Sequence, residues 1–127
     1  MTQAKSGLYI GATATELRDR SGADKAAGVV SQKALFHRRG TVALDDALRL
    51  SGWDGAGALV LRRDEISSVE RTYTDLYGRF IGGLLDSGKP LILGTPVGEI
   101  YLLIDRKEFM ETTRNREWAA ALAEWLR

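Results

Sequence analysis

A mainly β fold is expected, an antiparallel β-sandwich or partly open barrel of about seven strands capped by one C-terminal α-helix, and three observations predict it. Short apolar runs recur between clusters of Gly, Asp, Ser and Pro from Val29 to Ile104. Near the end of that series, two strand-like runs flank Pro96 and Gly98, which is the spacing of a hairpin. The last residues, ETTRNREWAAALAEWLR (111–127), then change period: Trp118, Leu122 and Trp125 fall on one helical stripe, with Ala121 and Leu126 beside it. Two indole rings on one stripe need a partner surface, and the open face of a sheet supplies one.

Residues 1–27 read as a poorly structured leader. Leu8, Tyr9 and Ile10 form only a brief apolar patch, and Ser21, Gly22 and Gly28 interrupt the short helix that residues 16–20 could make. Residues 28–127 read as the folded domain. Val29, Val30, Ala34, Leu35 and Phe36, followed by Val42 and Leu44, predict a first strand, long or broken, with a bend at Gly40. Asp45 and Asp46 mark a turn, after which Leu48 and Leu50 alternate with Arg49 and Ser51 as in a strand with one buried face. A glycine-rich turn carrying Trp53 leads to the next strand at residues 58–61. Ile66, Val69, Thr72 and Tyr73 favour a further strand whose broken alternation predicts a bulge near Ser67 and Ser68. Residues 77–85 fit either a short strand, the preferred reading, or a helical turn, both weakened by Gly78, Gly82 and Gly83. In the final strand Ile100, Leu102 and Ile104 share one face and Tyr101 and Leu103 the other, so it is expected to be covered on both sides. At the start of the helix, Thr112, Thr113 and Asn115 are all suitable N-caps.

Composition narrows the function. A length of 127 residues with 44% hydrophobic content suits one domain with a real core. Eighteen Lys and Arg against 17 Asp and Glu leave a net charge of +1, which gives no bulk attraction to nucleic acid. The absence of cysteine removes disulfides, thiol nucleophiles and cysteine metal sites. Residues 1–20 hold no apolar core of signal-peptide length, and no run approaches the roughly 20 apolar residues of a membrane span, so a cytoplasmic location is expected.

Catalytic patterns are lacking. His37 is the one histidine, lying beside Arg38 and Arg39 with no serine or carboxylate placed against it by any motif. The acidic pairs Asp45–Asp46 and Asp64–Glu65 fall at predicted turns, where exposed acids are ordinary. SGWDGAG (51–57) lacks the Lys and Ser or Thr of a phosphate loop. No enzyme, cofactor or metal site is therefore expected.

The succession GTVALDDALRLSG (40–52), LRRDEISSVE (61–70), PLILGTPVGEIYLLI (90–104) and EWAAALAEWL (117–126) resembles a bacterial pleckstrin-homology (PH) or GRAM-type domain. The resemblance covers residues 29–127 and rests on apolar and turn patterns. It implies two nearly orthogonal antiparallel sheets with a helix plugging one end and is nearly silent on activity; the expected function is a non-catalytic module that uses either an exposed strand edge or the leader to contact a protein partner or another copy of itself. Eukaryotic relatives of the resembled fold often bind phosphoinositides through a basic loop, which makes Lys33, Arg38 and Arg39 the candidates for an acidic ligand. Three such cations give about 3 kcal/mol at an anionic surface, short of stable anchoring, so weak binding of acidic lipid headgroups is the alternative expectation.

Overall fold

The computed structural model describes residues 5–19, 36–72, 74, 89–105 and 113–127. Seven antiparallel strands form one continuous curled sheet: β1 (Lys5–Thr13), β2 (Arg38–Leu44), β3 (Leu48–Asp54), β4 (Gly57–Leu61), β5 (Ser68–Arg71), β6 (Leu91–Thr95) and β7 (Gly98–Ile104). Their spatial order is β4-β3-β2-β1-β7-β6-β5. Residues 14–19 make a short helix, α1, and Asn115–Trp125 the closing helix, α2. The mainly β architecture capped by a C-terminal helix is as the residue pattern predicts.

The leader expectation fails for residues 5–13, which are the central strand. Lys5 to Gly11 pair with Leu44 to Arg38 on one side, and Tyr9 to Thr13 with Ile104 to Ile100 on the other. A three-residue apolar patch suffices here because hydrogen bonds to both neighbours, rather than side-chain burial alone, hold the strand. The short helix foreseen at residues 16–20 is present as α1, two residues earlier. Its start is a reciprocal capping box: the Glu16 N–H donates to Thr13 Oγ1 at 3.1 Å, and the Thr13 N–H to Glu16 Oε1 at 2.9 Å.

Pleating sorts the side chains onto two faces. The concave face gathers Tyr9, Val42, Leu44, Leu48, Leu50, Leu61, Leu91, Leu93, Ile100, Leu102 and Ile104 around Trp118, Leu122 and Trp125 of α2, all buried. On the convex face Ala12, Ile92, Tyr101 and Leu103 are covered by Leu17 of α1 and by Phe36. Strand β7 is thus covered on both sides, as expected from its unbroken apolar run.

Trp53 is a correction. It lies in β3 rather than in a turn, and it is buried. Strict alternation from Leu48 and Leu50 would aim residue 53 outward, but the β3–β4 register shifts between Leu50 and Asp54. Gly52 supplies the left-handed backbone, φ 72°, that this irregularity requires. The bulge therefore sits here and not at Ser67–Ser68, where β5 pairs with β6 in regular register from Ser68 to Arg71. A single 3-10 turn, Arg63–Glu65, precedes β5 and absorbs the broken alternation. The expected strand segments at residues 29–35 and 77–85 lie outside the described residues.

Asn115 also differs from expectation. It is the first residue of α2 and fully buried, and its side chain reaches into the sheet rather than capping the helix. Oδ1 accepts the Ile104 N–H at 2.9 Å, while Nδ2 donates to Lys89 O at 2.8 Å and to Leu102 O at 3.0 Å. The N-cap is Arg114, which makes no side-chain capping bond, and Thr113, one residue earlier, accepts the Asn115 N–H with its hydroxyl at 3.2 Å. At the other end, the Trp125 indole donates to Asp45 O at 2.9 Å and lies under the Arg63 guanidinium, 5.1 Å from the ring centroid. The helix is pinned at both ends across the concave core.

Candidate functional site

Two features have the chemistry or exposure to act on something outside the chain: the arginine cluster at the start of β2 and the edges of the sheet.

Arg38 opens β2 on the same side of the strand as Val42. Its guanidinium stacks over Trp53, 4.7 Å from the ring centroid. Nε donates to Glu16 Oε1 at 2.9 Å and Nη2 to Glu16 Oε2 at 3.2 Å, a bidentate pair. Nη1 donates to Asp54 Oδ1 at 2.8 Å and to the Trp53 carbonyl. The hydrogen bond that Arg38 donates to Glu16 is the main reason the Arg38 pKa rises further above its ordinary value. Partial burial works to raise the Glu16 pKa, but hydrogen bonds from Arg38 and Thr13 outweigh it and hold the carboxyl below the usual range.

Beneath this cluster Tyr9 stacks on Trp53, with ring centroids 6.3 Å apart, and its hydroxyl donates to Ser51 O at 2.8 Å. Burial pushes the phenol up to about 12, with Arg38 opposing and Asp54 adding. At neutral pH this hydroxyl keeps its proton and is engaged as a donor, so it offers no base. One cation faces two carboxylates, which makes the cluster a locked junction between β1, α1, β2 and β3.

Of the three expected anion ligands, Arg38 and Arg39 are not brought together. Arg38 is committed as described, and Lys33 lies outside the described residues. Arg39 is exposed and, being the next residue along the strand, faces the opposite side, where it stands across from Ile10. His37 is exposed just before β2. The acidic pairs do lie at turns. The exposed Asp45 carboxyl is held at about 2, first by hydrogen bonding with Asp46 and the Ala47 N–H and then by the Arg49 guanidinium, against a smaller desolvation that works to raise it. Glu65 accepts the Arg62 N–H at 2.9 Å. Among the described residues no group of three or more His, Asp or Glu gathers as a metal site, and no helix is long and apolar enough to cross a membrane.

The two sheet edges are unlike each other. Strand β5, Ser-Val-Glu-Arg, carries charge, and α2 packs closely beside it and over β6 and β7. Strand β4, Gly-Ala-Leu-Val-Leu, has no charged residue. Leu61 is buried and Leu59 packs against the concave core, while Ala58 is exposed and Val60 is 47% exposed. Edge strands are ordinarily guarded by Lys, Pro, bulges or a covering element, because their free N–H and C=O groups invite another strand. The sequence pointed to either an exposed strand edge, without saying which, or the leader. The signal was the run of five uncharged residues at 57–61.

No family model matches the chain, and no curated protein matches it either.

Proposed function

We propose that this chain is a non-catalytic, PH-like interaction module of the cytoplasm that contacts protein through the free edge of its sheet. The observation that carries the reading is the contrast between the edges, one charged and lined by α2, the other uncharged and, among the described residues, open. A seven-stranded sheet of two antiparallel runs joined through β1 and β7 and closed by a C-terminal helix supports the PH-like likeness, since the resembled family also closes its sheet with a terminal helix. The internal pairing of Arg38 weighs against the alternative, binding of acidic lipid headgroups, because a cation already facing Glu16 and Asp54 has little attraction left for a phosphate.

Co-sedimentation with vesicles of phosphatidylcholine, with and without phosphatidylserine, tests the choice. The protein-directed reading expects the chain to stay in the supernatant with both. Pelleting with the anionic vesicles alone, reversed by salt, would replace that reading with the lipid one.

A further inference from the structure

We infer that α1 is a strap that opens from the sheet and recloses on it as a unit, hinged at Thr13 and latched by Glu16 on Arg38. The sheet stays closed while it does so.

The hinge lies where β1 runs out of partners. Its ladder to β2 ends at Gly11, opposite Arg38, and its ladder to β7 ends at Thr13, opposite Ile100. The six residues of α1 follow at once. A helix of that length is well below the roughly 12–15 residues at which isolated helices become even marginally stable in water, so α1 depends on its attachments. Leu17 is fully buried in the convex cluster with Ala12, Tyr101 and Leu103. Glu16 closes the capping box with Thr13 and, with the same carboxylate, makes the bidentate pair with Arg38. One side chain thus serves both the start of the helix and its fastening to the sheet, and losing its charge loosens the helix where it is held.

The two sides of the latch are unequal. Arg38 belongs to β2 and has attachments apart from Glu16: its guanidinium lies over Trp53, 4.7 Å from the ring centroid, and Nη1 donates to the Trp53 carbonyl and, at 2.8 Å, to Asp54 Oδ1. Trp53 is itself buried and stacked on Tyr9. Glu16 is carried by the short helix. Opening therefore moves the helix and leaves the receiver in place, which favours reclosure in the same position. Water reaches the pair, the Arg38 and Glu16 side chains being 23% and 31% exposed, so it holds with the modest strength of a partly screened ion pair. Strand β1, by contrast, is hydrogen-bonded along both edges and opens with the sheet as a whole. In the open state Leu17 is lifted from the convex cluster, and the Nε and Nη2 edge of Arg38 is without the Glu16 carboxylate.

Thiol labelling of the full chain tests this, because the chain has no cysteine of its own. Leu17→Cys places one thiol on the strap and Leu102→Cys one in the concave core of β7, both at fully buried positions. In native buffer at neutral pH the first is expected to react with a soluble disulfide reagent at least about a hundredfold faster than the second, at a rate that low urea leaves nearly unchanged, since little surface is uncovered. Adding Glu16→Gln, which keeps a capping side chain but loses the charge that pairs with Arg38, should quicken labelling at position 17 at least about fivefold. Amide exchange of the unaltered chain gives a readout free of any substitution: residues 14–19 should exchange ahead of β1 and β7, again with little dependence on urea. Equal labelling at positions 17 and 102 with the same steep dependence on urea, or α1 amides that exchange no faster than those of β7, means that α1 opens only with the whole fold and overturns the inference. Fast labelling at position 17 that Glu16→Gln leaves unchanged removes the latch and overturns it equally.

Discussion

Replacing Asn115 tests the architecture at its most specific point. Its amide joins the first turn of α2 to Ile104 and Leu102 of β7 and to Lys89 just before β6, through three hydrogen bonds of 2.8–3.0 Å at a fully buried position. Asn115→Ala removes all three and strands the partner groups away from water. With about 1 kcal/mol net for each bond, and more for each buried group left unpaired, the expected loss is roughly 2–5 kcal/mol. Against a typical domain stability of about 5–15 kcal/mol this is a large fraction. Urea unfolding followed by tryptophan fluorescence reads it as a lower midpoint at constant slope.

Asn115→Asp sharpens the test, because it keeps the shape and the acceptor for Ile104 but loses the donor toward Lys89 and Leu102. An ionised carboxylate would then face two carbonyl oxygens in a buried site, whereas the protonated form can still donate to one. The pKa of this aspartate in the folded chain should therefore lie above its unfolded value. A raised folded pKa contributes stability that is fully present below the unfolded pKa and is lost as pH rises through the folded one. The gap between Asn115→Asp and the wild type should thus widen as pH rises from about 4 toward 7. A loss below about 1 kcal/mol for Asn115→Ala, or a pH-independent gap for Asn115→Asp, would refute the claim that this amide fastens the helix to the sheet.

Trp125→Ala should cost about 3–5 kcal/mol in the same assay, because it empties a buried site and leaves Asp45 O without its indole donor. Deleting residues 1–13 should abolish cooperative thermal unfolding, since it removes the strand joining β2 to β7; a truncated chain that melts as sharply as the whole would contradict the central place of β1. Glu16→Gln should cost about 1–2 kcal/mol at neutral pH by weakening a charge-assisted pair that is only partly buried. The folded Glu16 pKa is depressed, so its contribution is present above the ordinary carboxylate pKa and is lost as pH falls through the folded value; the difference between Glu16→Gln and the wild type should shrink in acid.

Much of the fold is written in alternation and period. Leu48 and Leu50, the run from Ile100 to Ile104 and the Trp118–Leu122–Trp125 stripe each point to a face that the structure buries. Strand β1 is hard to read for a local reason with a distant cause. A side chain at Gly11 would stand 2.9 Å from Leu102 and 3.1 Å from Trp53, so a residue that weakens the strand pattern is the one that lets the neighbours close in. The Thr13–Glu16 capping box joins residues only three apart, a local pattern, whereas the use of Glu16 against Arg38, 22 residues away, has no local signal. Arg38 and Arg39 look equivalent in the sequence; pleating sends one into a bidentate pair over Trp53 and the other to solvent on the opposite face. Asn115 matched a capping pattern, and no local rule distinguishes an amide that caps its own helix from one that reaches into the sheet.

How the two faces are covered bears on where a partner can sit. The concave face is filled by α2, and around β1, β7 and β6 the convex face is covered by Leu17 and Phe36. Leu8, 67% exposed on β1, is a single apolar side chain beyond that patch, and single exposed leucines are common on protein surfaces. The charges nearest the sheet's open end are paired within the chain, at Arg38 with Glu16 and Asp54 and at Arg49 with Asp45 and Asp46. What the described surface offers unguarded is backbone, along β4, and backbone recognises another strand whatever its side chains.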